Sequence, residues 1–259
     1  MGTALRHVVQ RELPGATVTV TTRAEFDIQY GDWRALPVAG HDWVLNAAGL
    51  INRRDADLQA LWTVNAAFPH ALAALCRECG ARMVHFSTDC VFDGRPGPRD
   101  ERSPADAGDP YGRSKAAGEP DSALVMRTSI IGPEQRRFYN LLCWALRQDS
   151  IDGFTNHLWN GVTTVALARA IVRLIRDGDF LPGLRHVHAE DTTKHDLLAD
   201  ICRCFGHPAA LRRVAADRPR DTRLATLHAE FLASLQLPPR EQQLRELVAL
   251  STRAGAWRP

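Results

Sequence analysis

Through the first half of the chain, short runs of β-branched and aliphatic residues alternate with longer helical periodicities. Apolar stretches at 16–21, 42–46, 82–88, 123–129 and 185–189 read as strands. Between them, 58–79 repeats apolar residues at three- and four-residue intervals, and 113–119 opens a second helical pattern. Strands alternating with helices predict a parallel sheet covered on its faces by helices. The polar stretch 93–109, rich in Gly and Pro, predicts an exposed loop.

Past residue 129 the strand rhythm weakens, and helical patterns dominate at 138–147, 165–177, 194–205 and 239–250. The expectation is a Rossmann-type, doubly wound α/β domain over 1–150 and a smaller, mostly helical substrate-binding lobe over 151–259, with some return to the sheet. Arg169 and Arg173 interrupt the apolar run at 165–175, which marks an amphipathic surface helix. No run approaches the ~18 apolar residues of a membrane span.

Composition narrows the function classes. With 45% hydrophobic and 24% charged residues, the 259-residue chain is an ordinary globular sequence, so disorder and coiled coil are excluded. Its formal charge of +2 is too balanced for a protein whose main work is neutralising a phosphate backbone, so nucleic acid is not an expected partner. Six scattered cysteines and no apolar leader in the sequence fit a reducing cytoplasm. Cys76-x-x-Cys79 has no second pair at metal spacing, and a buried cysteine behaves as a small hydrophobe. His186 and His188 alternate along a predicted strand with no third ligand nearby, so no metal is expected.

Candidate chemistry gathers at three places. Tyr111-Gly-Arg-Ser-Lys115 puts a phenol and an amine four residues apart at a helix start, on one face. An ammonium there would favour phenolate and lower a pKa that is otherwise ~10. Upstream, Met83-Val-His-Phe-Ser-Thr88-Asp-Cys-Val-Phe-Asp-Gly94 is a buried strand ending in hydroxyls and a carboxylate, and the carboxyl ends of such strands face the ligand crevice. Thr88 is thereby placed to bond an oxygen on which Tyr111 acts. Asp42-Trp-Val-Leu-Asn46-Ala-Ala-Gly49 runs into small residues that let a flat cofactor approach the backbone.

These elements, in this order, resemble the dTDP-4-dehydrorhamnose reductase family of the extended short-chain dehydrogenase/reductase superfamily. The resemblance rests on Asn46-Ala-Ala48, Val64-Asn65, Gly80 through Asp89, Val91-Phe-Asp-Gly94, Pro110-Tyr-Gly-Arg-Ser-Lys-Ala-Ala-Gly-Glu119 and Arg127-Thr-Ser129. Weaker matches are Gly153-Phe-Thr-Asn-His-Leu-Trp-Asn-Gly-Val-Thr-Thr164 and Thr193-Lys194. The resemblance implies hydride transfer from NADPH or NADH to C4 of a nucleotide-linked 4-keto-6-deoxy sugar, in deoxysugar or surface-polysaccharide biosynthesis, and is compatible with a homodimer. It gives Thr88 the keto oxygen, Tyr111 the proton and Lys115 the nicotinamide ribose. Asp27 and Ile28 fall near the adenine, and Asn46, Ala47 and Ala48 along the cofactor. Asp89, Cys90 and Val91 fall at the sugar, with Cys90 where the family usually has Tyr.

Met1-Gly2-Thr3-Ala4-Leu5 resembles only the end of the family's Gly-rich phosphate loop, with Gly2 its remaining cofactor contact, so the first, central strand is expected to be missing and the phosphate grip weak. Arg23, after the second expected strand, is a candidate for a 2′-phosphate. His157, Trp159 and Asn160 are candidates for the sugar nucleotide, Trp159 foremost, and Arg218, Arg220 and Arg223 for its diphosphate. Two other readings stay open: a non-catalytic sugar-nucleotide-binding or regulatory subunit, and an epimerase or dehydratase on the same fold.

Overall fold

The computed structural model describes residues 1–51, 57–133 and 140–253. From the amino end the elements are α1 (Gly2–Glu12), β1 (Trp43–Asn46), α2 (Leu58–Trp62), α3 (Phe68–Cys79), β2 (Arg82–Thr88), α4 (Pro110–Ala117) and β3 (Leu124–Thr128). Then come β4 (Ile130–Ile131), α5 (Leu141–Ala145), β5 (Ser150–Phe154), β6 (His157–Trp159), β7 (Val162–Thr163), α6 (Thr164–Asp177) and β8 (Gly183–His186). The chain continues through β9 (Thr192–Thr193), α7 (Lys194–Phe205), β10 (Ala210–Val214), β11 (Arg220–Asp221), α8 (Ala229–Ser234) and α9 (Arg240–Arg253).

The main sheet has the order β1-β2-β3-β8, all parallel. Because successive side chains point to opposite faces, Val84 and Met126 meet one helical layer and Met83 and Val125 the other. The first layer is α1 and α6, whose Leu5, Val8, Leu167 and Ile171 join Val84, Leu124 and Met126 in the larger core. The second is α3, whose Phe68, Leu72 and Cys76 pack on Met83 and Val125. Cys76 is thus a core residue, its thiol pushed up to about 11 by burial, with Cys79 adding to it. β3, buried over its whole length between β2 and β8, reads Leu-Val-Met-Arg-Thr. The polar arginine there is answered by an ion pair described below.

The expected strand at 16–21 does not form. Those residues pair with no strand and are mostly exposed, and a strand without a neighbour has no ladder to hold it. The 93–109 segment is a strap rather than a free loop. Arg99 bridges to Leu224, and the Glu101 carboxylate accepts from the His186 amide at 2.8 Å, the Thr226 hydroxyl at 2.6 Å and the Leu227 amide at 2.8 Å.

The second half carries more strand than expected. β5 pairs with β10, β6 lies between β11 and β9, and β4 pairs with β7. Pairs two to five residues long between distant segments leave no local periodicity to read. Of the helix expected at 138–147, Leu141–Ala145 is observed, and Phe138 and Tyr139 lie outside the described residues. The segment past 150 also returns to the first sheet, with α6 against α1 and β8 beside β3.

Candidate active site

The site forms at the carboxyl end of β2. Thr88 ends the strand, and its Oγ1 accepts from the Cys90 amide at 3.1 Å and donates to Asp89 Oδ1 at 3.1 Å. The Tyr111 phenol lies close enough to the Thr88 hydroxyl for that hydroxyl to lower its pKa. Asp109 sets that meeting by capping α4, its carboxylate accepting from the Tyr111 and Gly112 amides at 3.0 Å each, with Pro110 in the first turn. Gly112 lets the helix come close, since a Cβ there would fall 2.1 Å from the Cys90 carbonyl oxygen.

Burial pushes the Tyr111 phenol up, neighbouring Cys90, Asp89 and Asp109 add to it, and the Thr88 hydroxyl opposes them. Tyr111 therefore stays protonated through the neutral range, as a proton donor must. The expectation that Lys115 lowers this pKa is overturned. Lys115 Nζ donates to the Phe86 carbonyl at 2.7 Å and lies 3.4 Å from His85 Nε2. Sharing a helix face with Tyr111 did not decide its partner, because the carbonyl at the β2 edge offers the buried amine an acceptor. Burial lowers Lys115 itself to about 8, against the pull of Glu119.

Small residues border one side of the site. Asn46 is buried at the end of β1, its Oδ1 accepting from the Ala48 amide at 3.2 Å and its Nδ2 lying 3.0 Å from His85 Nδ1. Ala47 is exposed beside the start of α1, where a Cβ on Gly2 would lie 3.7 Å from its own. Asn65, on a π-helical turn between α2 and α3, holds Leu50 through both backbone atoms, at 2.8 and 2.9 Å, and donates to Ser114 Oγ at 3.1 Å. Such a turn re-aims a side chain without ending the helix. Farther out, exposed Arg23 pairs with Asp27 at 3.3 Å, Asp27 also accepts from the Gln29 amide, and Ile28 packs on the second core. A strand end with bare alanines, a helix start beside it and an amine behind it fit a nicotinamide dinucleotide.

On the opposite side, Asp89 is buried and its carboxyl is pushed up by burial, against the hydrogen bond from Thr88 and the charge of Lys194. Burial likewise raises the Cys90 thiol to about 12, keeping it neutral. Val91 does not face the site, being fully buried with Phe92 and Leu224 as its back wall. Trp159 is 3% exposed, with Lys194 Nζ 5.0 Å from its ring centroid. The Arg220 side chain lies over Gly94. Among the described residues neither Lys194 nor Arg220 has an ion-pair partner within 4.0 Å. Arg223, by contrast, is spent on Asp221 and Asp191 at 2.7 Å each. Asn160 is spent on Leu224 and Asp191, and His157 on the Arg218 carbonyl and the Phe154 ring. His186 turns to backbone carbonyls of Arg99 and Ala225, and no group of metal-binding side chains occurs among the described residues.

Nothing in the sequence patterns assigns His85 a role, and Lys194 appears there only in the weakly matched Thr193-Lys194 segment. A signal existed for the latter: only two of the chain's 32 basic side chains are lysines, Lys115 and Lys194, and both border this site. Where arginine is the default cation, lysine at a buried position marks a need for a compact or titratable charge.

A parallel sheet with helices on both faces and a hydroxyl, a phenol and an amine at its carboxyl edge defines a Rossmann-type α/β protein with a ligand-facing site. Residues 1–253 match the RmlD substrate binding domain family, and the chain belongs to it. It is 33% identical over 177 residues to a dTDP-4-keto-6-deoxy-D-glucose reductase of Streptomyces niveus, covering 63% of this chain and 60% of that protein. It is 30% identical over 195 residues to the dTDP-4-dehydrorhamnose reductase of Mycolicibacterium smegmatis, covering 68% and 58%. The matched part is thus about 60% of these relatives' length. The fold is that of a dTDP-4-dehydrorhamnose reductase from Bacillus anthracis solved with NADP, with a TM-score of 0.78, 20% identity and 95% of each chain covered. The corresponding enzyme of Clostridium acetobutylicum gives 0.76, at 22% identity and 96% of each. No described helix is long and apolar enough to cross a membrane.

Proposed function

We propose that this chain reduces the C4 ketone of a nucleotide-linked 4-keto-6-deoxy sugar, using NADPH or NADH. The observation that carries the reading is the Tyr111 hydroxyl, kept protonated by burial and set beside the Thr88 hydroxyl at the carboxyl end of β2. The names of the relatives supply the substrate class.

When bound, the nicotinamide supplies a hydride to C4. The ketone oxygen then takes a proton from Tyr111, so that a C–H and an O–H bond form as the carbonyl π bond is lost. Thr88, whose proton rests on Asp89 in the free protein, turns it to the same oxygen. Lys115 holds the nicotinamide ribose, Asn46, Ala47, Ala48 and Gly2 flank the dinucleotide, and Asp27 and Ile28 lie toward its adenine. Asp89 and Cys90 face the sugar, while Lys194 and Arg220, neither of which has an ion-pair partner within 4.0 Å among the described residues, receive the diphosphate over Trp159.

The test is turnover of a dTDP-4-keto-6-deoxy sugar with Tyr111→Phe and Thr88→Ala. Tyr111→Phe should lose ~10²-fold or more in kcat, the cost of a missing general acid, and Thr88→Ala less. Equal turnover by Tyr111→Phe would overturn the mechanism. Binding of the sugar nucleotide with no turnover by the unaltered chain would favour a non-catalytic binding protein.

A further inference from the structure

Lys115 sits between two partners of opposite demand. The Phe86 carbonyl at 2.7 Å can only accept, and any protonation state of the amine satisfies it. His85 Nε2, at 3.4 Å on the other side, accepts or donates according to its tautomer. The tautomer is fixed one step further away. The Asn46 Oδ1 is taken by the Ala48 amide, so Asn46 presents its NH2 to His85 Nδ1, which must accept. A neutral ring with a bare Nδ1 carries its proton on Nε2. That proton faces Lys115.

We propose that His85 is a positioning residue for Lys115: held by Asn46 in the Nε2–H tautomer, it donates to the lysine nitrogen, so that only the neutral amine satisfies both contacts. An amine donates to Phe86 and accepts from His85; an ammonium would set donor against donor. Lys115 is thereby poised to take up and release a proton near neutrality, which no arginine at this position would do. This deepens the reductase reading and rests on it for the role of Lys115 at the cofactor.

The surroundings agree. His85 is fully buried, and burial with the charges of Lys115 and His70 holds its pKa well below the ordinary value, so the ring is neutral. The charged or titratable groups around Lys115 are His85 from β2, Glu119 just beyond α4 and, behind His85, His70 from α3. Glu119 favours the ammonium, but its carboxylate is already engaged by Arg127 at 2.6 Å. Asn65 and Ser114, on the adjoining turn and helix, are neutral and bond each other.

The chain's two lysines make the proposal directly measurable. With ¹³Cε-lysine, the protein shows two side-chain signals, and Lys194→Arg assigns them. Lys115 should titrate at about 8. In His85→Gln, whose amide can turn its oxygen to the ammonium, the proton affinity of Lys115 should rise roughly tenfold or more. Nitrogen-15 histidine spectra of the unaltered chain, which need no variant, should show His85 with bare Nδ1 and protonated Nε2 from pH 6 to 9. An Nδ1–H tautomer or an imidazolium in that range would overturn the proposal, as would a Lys115 titration unmoved by His85→Gln. None of these readings needs substrate, so they stand apart from turnover, which alone judges the reductase reading.

Discussion

Arg127 on β3 grips both carboxylate oxygens of Glu119, at 2.8 and 2.6 Å, with the two side chains 7% and 11% exposed. Ser87 donates to the same carboxylate from β2. Glu119 follows α4, so this one carboxylate fastens the helix bearing Tyr111 and Lys115 to the two central strands. The Arg127 guanidinium also lies 5.2 Å from the Phe92 ring centroid, which packs with Val91 and Leu224.

Breaking this pair should be costly, because it leaves a charge buried without its counterion. Glu119→Ala is expected to lose about 3–5 kcal/mol of unfolding free energy, measured by denaturant titration. A loss under about 1 kcal/mol would mean that water reaches Arg127 as freely as at an exposed pair.

Lys115 gives stability a defined pH dependence. Its folded pKa of about 8 lies below its ordinary 10.5, so between those values the unfolded chain binds more protons than the folded one. Stability from this group therefore rises as pH increases from 8 to 10.5. Relative to Lys115→Met, which cannot titrate, the unaltered chain should gain on the order of 3 kcal/mol across that window. Parallel stability curves for the two proteins would contradict the burial of this charge.

Gly112→Ala should separate the two hydroxyls. Its Cβ would meet the Cys90 carbonyl oxygen at 2.1 Å and the Ala107 Cβ at 2.5 Å, so α4 or the turn after β2 must move. The cost is about 1–3 kcal/mol in stability. Because the shift carries Tyr111 away from Thr88, kcat should fall by more than KM rises, a split read from steady-state turnover.

The substrate side is better probed at Lys194 than at Trp159. Trp159 is buried, and its replacement by alanine would cost ~3–5 kcal/mol of stability whatever the ring does for a ligand. Lys194→Met keeps the stem on that ring and removes the charge. KM for the sugar nucleotide should rise ~10-fold or more, the worth of one charge-assisted hydrogen bond, with NADPH affinity unchanged. Weakened NADPH binding at normal KM would put Lys194 on the cofactor side instead.

By itself the sequence determined what depends on local covalent geometry. The two-residue period of a strand sends Met83 and Val84, and Val125 and Met126, to opposite helical layers, and this alternation is visible in the string of residues. The helical pattern at 113–119 likewise marks α4, although its observed start, capped by Asp109, lies three residues earlier at Pro110. Tertiary structure decided what depends on who arrives from elsewhere. Residues 16–21 have strand composition and no ladder partner, so they stay unpaired. Tyr111 and Lys115 share a helix face, yet a carbonyl and an imidazole from β2, about 30 residues earlier in the chain, claim the amine, and burial moves the phenol the opposite way from what an adjacent ammonium would do. Lys194 reaches Trp159 across 35 positions, the gap between their numbers, through a lobe of short strands with no sequence period. Charge state and hydrogen-bond partner are properties of the dielectric and donors around a side chain, and long-range packing alone brings those together.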